Sequence, residues 1–278
     1  QETDNYDQSE SSLGVLYGWS SNKVNFVLGF NHLDRNPLSA SKIPGIAELA
    51  LSGFGRTFKV KEDAFVTSGP YSGNYSKDDL IPDPICETNG GILSGGRCRF
   101  LYGNRFNIVN DETHNKLYSS ITHESERIDF NSTIIFSSVD VNDNPQSPSY
   151  PALPFLSRPI EPDQAGNPFG VQVTWYGRPL GSEFVSPHSP KDISQYHISN
   201  EFVFELDASS SLEISLTNSM HSNDHKRPDI IDSRFLNAIN GQGGSSGNEL
   251  WNIFDSQELS IDLINYVSGF EKSKKEAS

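Results

Sequence analysis

Residues 11–32 read SSLGVLYGWSSNKVNFVLGFNH. Leu13, Val15, Tyr17 and Trp19 alternate with Ser12, Gly14, Leu16 and Gly18. After Ser20-Ser21-Asn22-Lys23 the alternation resumes, with Val24, Phe26, Leu28 and Phe30 set against Asn25, Val27, Gly29 and Asn31. Successive side chains of a strand point to opposite faces. The stretch therefore predicts a hairpin with one large apolar face and one small or polar face. The fold class turns on what the apolar face meets: a second protein layer, or lipid.

The same rhythm recurs downstream. Strands are expected over 11–19 and 24–32, 116–124 and 128–139, and 197–206 and 212–220, with another strand-like run over 257–270. Ile128, Phe130, Ile134 and Phe136 share a face opposite Asp129, Asn131 and Thr133. Ile198, Phe202, Phe204 and Leu206 oppose Ser199, Glu201 and Glu205. Ser132 and Asn200 interrupt apolar faces, Ile135 and Val203 interrupt polar ones, and 116–124 alternates poorly. No helix is expected. Residues 1–8 are expected to end an earlier strand and enter a short turn.

Composition narrows the class. With 36 Asp+Glu against 21 Lys+Arg, the net charge is -15. That excludes a phosphate-tracking nucleic-acid binder and a polybasic membrane anchor, both of which need a basic face. Hydrophobic residues make up only 35%, yet aromatics reach 11% and there are 22 glycines. This suits strands with one small or polar face. No run of roughly 18 apolar residues is present to form a spanning helix. The chain begins at Gln1 without a basic-then-apolar leader, and the expectation is a piece of something longer. The two cysteines, Cys86 and Cys98, bracket a Gly-rich turn segment. A local disulfide is expected, with a two-Cys metal site as the competing reading; the bridge implies an oxidising compartment.

Connections decide between two architectures. Within each strand pair the link is tight. Between pairs it is long and rich in Gly, Pro, Asp and Ser. A soluble β-sandwich keeps its connections short at both ends. Tight turns at one end and long loops at the other mark an outer-membrane barrel, whose backbone bonds strand to strand because lipid offers no partner. The expected fold is therefore all-β: an antiparallel transmembrane β-barrel segment with short periplasmic turns and long extracellular loops. Tyr17, Trp19 and Tyr118 are expected in an interfacial aromatic girdle. The alternative is a secreted β-sandwich adhesion or carbohydrate-binding module, calcium-dependent in one version.

The texture of LDRNPLSA (33–40), of the segment 150–206 around VTWYGRPLGSEF, and of HSNDHKRPDIIDSRFLNAINGQGGSSGNELWNIFD (221–255) is similar to the early barrel of TonB-dependent outer-membrane receptors. The resemblance covers most of the chain and rests on no compact motif. It implies a single partial barrel domain over 1–278, supplying about seven or eight of roughly 22 strands. It also implies location in the outer membrane of a Gram-negative bacterium and uptake of a small-molecule ligand such as a siderophore–iron complex, cobalamin or an oligosaccharide. Lipid would surround the barrel. The TonB–ExbB–ExbD system would supply energy through an N-terminal part. The family's TonB box, plug domain and terminal aromatic strand are not found in this sequence. Trp175, Tyr176, Arg178 and Arg227, in the expected outer loops, are the ligand-contact candidates, through stacking and bidentate hydrogen bonds.

Other motifs point elsewhere and more weakly. VDVNDNP (139–145) resembles a cadherin calcium linker, through Asp140, Asn142, Asp143 and Asn144, but the Asp-x-Asp partner motif is absent. Calcium needs six to eight converging oxygens. His221, Asp224 and His225 in HSNDH are spaced for a metal on a helix, but are expected in a loop. Glu201 and Glu205 share a strand face and are the candidate carboxylate pair of a glycoside hydrolase. Asn74 and Asn131 match glycosylation acceptors. No nucleophile elbow, phosphate loop or metalloprotease pair appears. The expectation is a protein that is not an enzyme and carries no cofactor or metal.

Overall fold

The opening alternation forms two strands, β1 (Glu10–Ser20) and β2 (Val24–Arg35), in a computed structural model that describes residues 8–143, 158–180, 188–255 and 259–278. Ser21 holds the turn between them. Its N–H donates to the Val24 carbonyl (2.8 Å), and its hydroxyl accepts from the Val24 N–H (3.1 Å). The next hairpin joins β3 (Asp111–His123) to β4 (Ile128–Asp143) with the same device: the Ser125 hydroxyl accepts from the Ile128 N–H (3.1 Å). β5 (Lys191–Asp207) and β6 (Ser210–Ile230) meet through two residues, where the Asp207 carboxylate accepts from the Ser209 N–H (2.8 Å). With β7 (Ser268–Ala277) these strands form one seven-stranded antiparallel sheet in chain order. The chain is all-β in class.

The turns are staggered. The pair that closes the first hairpin, Ser20 and Asn25, continues across the sheet through Thr122, Asn131 and Glu201. β5 does not turn until Asp207, six residues later (207 − 201). Six steps are ~20 Å along a strand, against ~19 Å for the four strand spacings between β1 and β5. The strands therefore lean by roughly 45° from the normal to the line of turns. This sheet itself is open, with β1 and β7 as its edges.

At the end opposite the turns the chain makes three excursions from the sheet, after Arg35, Asp143 and Ile230, and rejoins it at Asp111, Lys191 and Ser268. Their described parts fold together into one cap. Four short strands, Arg158–Ile160, Val173–Gly177, Arg56–Val60 and Leu80–Pro82, make a second sheet that joins the first two excursions. The third excursion adds helices α1 (Asp232–Ile239) and α2 (Ile261–Val267). The core includes Phe58, Val60, Ile160, Val173, Phe235 and Leu263, all under 2% exposed. Every residue of that cluster belongs to the cap or to Ile230 at its border. Arg56 ties the first excursion to the third, ion-paired to Asp83 and donating to the Ile253 and Asp255 carbonyls (3.1 and 3.2 Å). Arg158 ties the second to the third through Asp232.

Three expectations need correction. Residues 191–196 and 221–230 are strand rather than loop, and β3 starts at Asp111. Apart from a few such as Ile193, Tyr196 and Ile230, their side chains are polar, so cross-strand pairing extends where regular hydrophobic alternation has stopped. Two helices exist where none was expected. α1 buries Phe235, Ala238 and Ile239 at helical spacing, and the Ser260 hydroxyl caps α2 by accepting from the Leu263 N–H (2.9 Å). Of the described residues of the run 257–270, those from Ser268 onward are strand. Residues 1–7, at the start of the expected opening turn, lie outside the described residues.

Candidate functional site

Register puts the apolar residues of six strands on one face. Val15, Phe30, Leu117, Phe136, Tyr196 and Met220 form one cross-strand row. Trp19, Phe26 and Ile121 lie in a row nearer the turns, and Phe130, Phe202 and Ile214 in the next. Phe30 and Phe136 are each 41% exposed, and Trp19 is 50% exposed. Phe26, Phe130 and Phe204 are half-buried, Phe130 mainly against Phe202 in the same sheet, 4.8 Å away. Among the described residues, no second layer covers this belt. The polar interruptions answer each other: Ser132 faces Asn200 in register, and its hydroxyl donates to the Asn200 side-chain oxygen (2.9 Å).

The opposite face carries Gly14, Asn25, Asn31, Thr122, Asn131, Glu201 and Glu213, polar or small in keeping with a wetted surface. Tyr118 belongs to this face, not to the aromatic girdle. It pairs with Gly29, which pairs with Leu16, and the Leu16 face is opposite that of Tyr17 and Trp19. With Ile135 these residues border a concavity of about 550 Å³. The face carries carboxylates, but Glu201 and Glu205 are four residues apart on one strand, ~13 Å, beyond the spacing of a glycosidase pair.

The four ligand-contact candidates do not converge. Trp175 is 3% exposed and stacks on Phe235 inside the cap core (ring centroids 5.8 Å). Tyr176, the next residue, is half-buried against Phe54. Arg178 lies over the Phe100 ring and donates to the Phe54 carbonyl (3.3 Å) and the Ser52 hydroxyl (3.1 Å). Burial, and then the nearby Arg105, push its guanidinium down to about 10. Arg227 is not in a loop. It sits in β6 and pairs with Glu271 of β7 on the polar face. Trp175 and Arg178 thus act as cap packing: Trp175 lies within the short strand Val173–Gly177, buried along most of its length, and Arg178 directly follows it.

Cys86 and Cys98 form the expected disulfide. Both are buried, and the Thr57 hydroxyl binds the Cys98 N–H (3.0 Å) and carbonyl (3.2 Å). A Cβ at Gly91 would come within 2.8 Å of both sulfurs, so glycine lets the loop cross the bridge. His221 and His225 lie in β6, four residues and ~13 Å apart on one face, with Asp224 on the other. Asp140, Asn142 and Asp143 are the closing residues of β4; Asn144 lies outside the described residues. Among the described residues, no group of three or more His, Cys, Asp or Glu could hold a metal. No helix is long and apolar enough to cross a membrane, which says nothing of strands. Compared with protein-family models, with curated proteins and with solved structures, the chain matches none.

Proposed function

We propose that this chain is part of an outer-membrane β-barrel transport receptor of the TonB-dependent kind. The belt meets hydrocarbon, the polar face lines a lumen, and the cap stands on the outer side, where a scarce nutrient is captured. Energy enters from TonB–ExbB–ExbD through a further part of the receptor.

One observation carries the reading: an apolar face continuous over six strands stays exposed, while the same chain buries a complete core in its cap. The exposed apolar side chains of that face amount to on the order of 1,000 Å², against roughly 300–600 Å² for the largest patch on a typical soluble monomer. Height supports it too. On β5 the apolar run from Tyr196 to Leu206 covers ten steps (206 − 196). That is ~33 Å along the strand, and ~23 Å once tilted by roughly 45°, close to the apolar band of about 25 Å in outer-membrane barrels.

The three tryptophans provide the test, because Trp19 sits in the belt while Trp175 and Trp251 are buried in the cap. The full chain is refolded into vesicles whose acyl chains carry bromine. Quenching of one emission component, abolished by Trp19→Phe, is the expected result. Emission unaffected by brominated lipid, from a chain that stays monomeric without detergent, would sink the proposal.

A further inference from the structure

The concavity on the polar face is unlike its surroundings. Leu16, Gly29, Tyr118 and Ile135 occupy one registered row across four strands. Leu16 is 77% exposed on a face that is mostly small or polar, with Val27 and Val203 as separate apolar members in other rows. These side chains point away from the belt, so lipid does not account for them. Gly29 leaves a notch in the middle of the row. A Cβ there would lie 3.5 Å from Leu16 Cδ1 and 3.8 Å from Tyr118 Cβ. The result is an apolar floor with a slot between an aliphatic and an aromatic wall.

Charge sets the ligand's sign. Lys116 borders the floor, is exposed, and makes no ion pair among the described residues. Its cross-strand neighbours, Asn31 and Ser137, are neutral. Glu112, the nearest carboxylate on this face of β3, is already paired with Arg35 and His114. Glu201 lies in the row of Thr122, six residues from Lys116 along β3 (122 − 116) and ~20 Å away. In a chain of net charge -15, this is an uncompensated cation beside apolar surface. The amides of Asn31 and Gln195 stand at the rim and can both donate and accept.

We infer that this concavity binds an amphipathic organic anion: a flat apolar body seated over Leu16, Gly29 and Tyr118, with a carboxylate or sulfonate held by Lys116. Its volume of about 550 Å³ is in the range of small-molecule sites. The pocket stands on strand register alone. Its role as a ligand subsite inside a lumen rests on the transport reading.

A matched pair of probes tests it: 1-naphthoate and 1-naphthylmethylammonium, with one aromatic body and opposite charge. Binding to the full chain in nonionic detergent is measured by equilibrium dialysis against protein-free micelles. Naphthoate is expected to bind about tenfold more tightly than the ammonium probe. Lys116→Gln should bring the two within about twofold by weakening naphthoate, with the far-ultraviolet circular dichroism unchanged. Gly29→Leu, which fills the slot, should weaken both. Equal binding of the two probes to the unaltered chain, or a preference that survives Lys116→Gln, overturns the inference. Should Gly29→Leu fail to fold, the lysine variant still decides. Naphthoate preference without bromolipid quenching of Trp19 would leave the pocket and remove the transport role; quenching without preference would do the reverse.

Discussion

Two regions of this chain treat apolar surface in opposite ways. In the cap, Phe58 and Phe235 are fully buried, and an aromatic cluster of Phe58, Tyr71, Phe169 and Phe254 fills the space between excursions that are far apart in sequence. In the sheet, Phe30, Phe136 and Ile134 stay about two-fifths exposed, though they line up in register with many others. The chain therefore has the means to build a core and uses it at one end only. On the proposed reading, the exposure at the other end reflects a different solvent, not a shortage of covering material.

The sharpest way to break this contrast is to make the same deletion on both sides of it. Phe58→Ala should cost the cap about 3–5 kcal/mol, because it leaves a cavity among packed rings. Phe30→Ala should cost less than about 1 kcal/mol in the same assay, since no lid collapses onto it. Urea unfolding, followed through Trp175 and Trp251 in a Trp19→Phe background, measures both. Equal losses would mean that the belt is covered after all.

Charge insertion sharpens it next. Ile134→Lys places an ammonium on the belt and should destabilise the bilayer-inserted state by about 2–4 kcal/mol, while Thr133→Lys, one residue away on the wetted face, should cost no more than about 1 kcal/mol. Fraction folded in vesicles against urea, read from heat-dependent migration on gels, distinguishes them. A reversed order would exchange the roles of the two faces.

The disulfide belongs wholly to the cap. Replacing Cys86 and Cys98 together by Ser should lower cap stability by about 2–3 kcal/mol through the freed loop. Belt insertion, read by bromolipid quenching of Trp19, should not change. A parallel loss of insertion would show that the two regions are not separable.

The smallest effect is one of pH. Asp262, at the start of α2, accepts from the Ser245 N–H and hydroxyl, and these bonds hold its carboxyl below the usual carboxylate range. Its contribution is therefore present above the ordinary carboxylate value and is lost as pH falls through the lower folded value. The cap's melting temperature should drop on acidification below about pH 4, and Asp262→Asn should flatten part of that drop. An identical acid response in the variant would show that another group governs it.

The belt was legible in the sequence because alternation with period two survives wherever one face must be apolar. Its flaws were legible only as flaws. Ser132 and Asn200 read as interruptions until register set them opposite each other. Tyr118 weakened the pattern of β3 because it points to the polar face beside Leu16. The cap left no comparable trace. Its strands are two to five residues long, and its core comes from three separate excursions, so no window of sequence holds enough of it to show a period. The candidates Trp175 and Arg178 looked like surface chemistry because their covering partners, Phe235, Phe54 and Ser52, lie more than fifty residues away.

The wiring of the cap bears on the order of assembly. The first two excursions each leave one hairpin and return on the next, and the third leaves the last hairpin and returns on β7; Arg56–Ile253 therefore bridges the first and third excursions, and Arg158–Asp232 the second and third. Loop length adds little to the entropy of that gathering, since closure grows only with the logarithm of the span. A chain with this clasp closed holds its hairpins edge to edge, so its oily side is presented as a single wall rather than ribbon by ribbon.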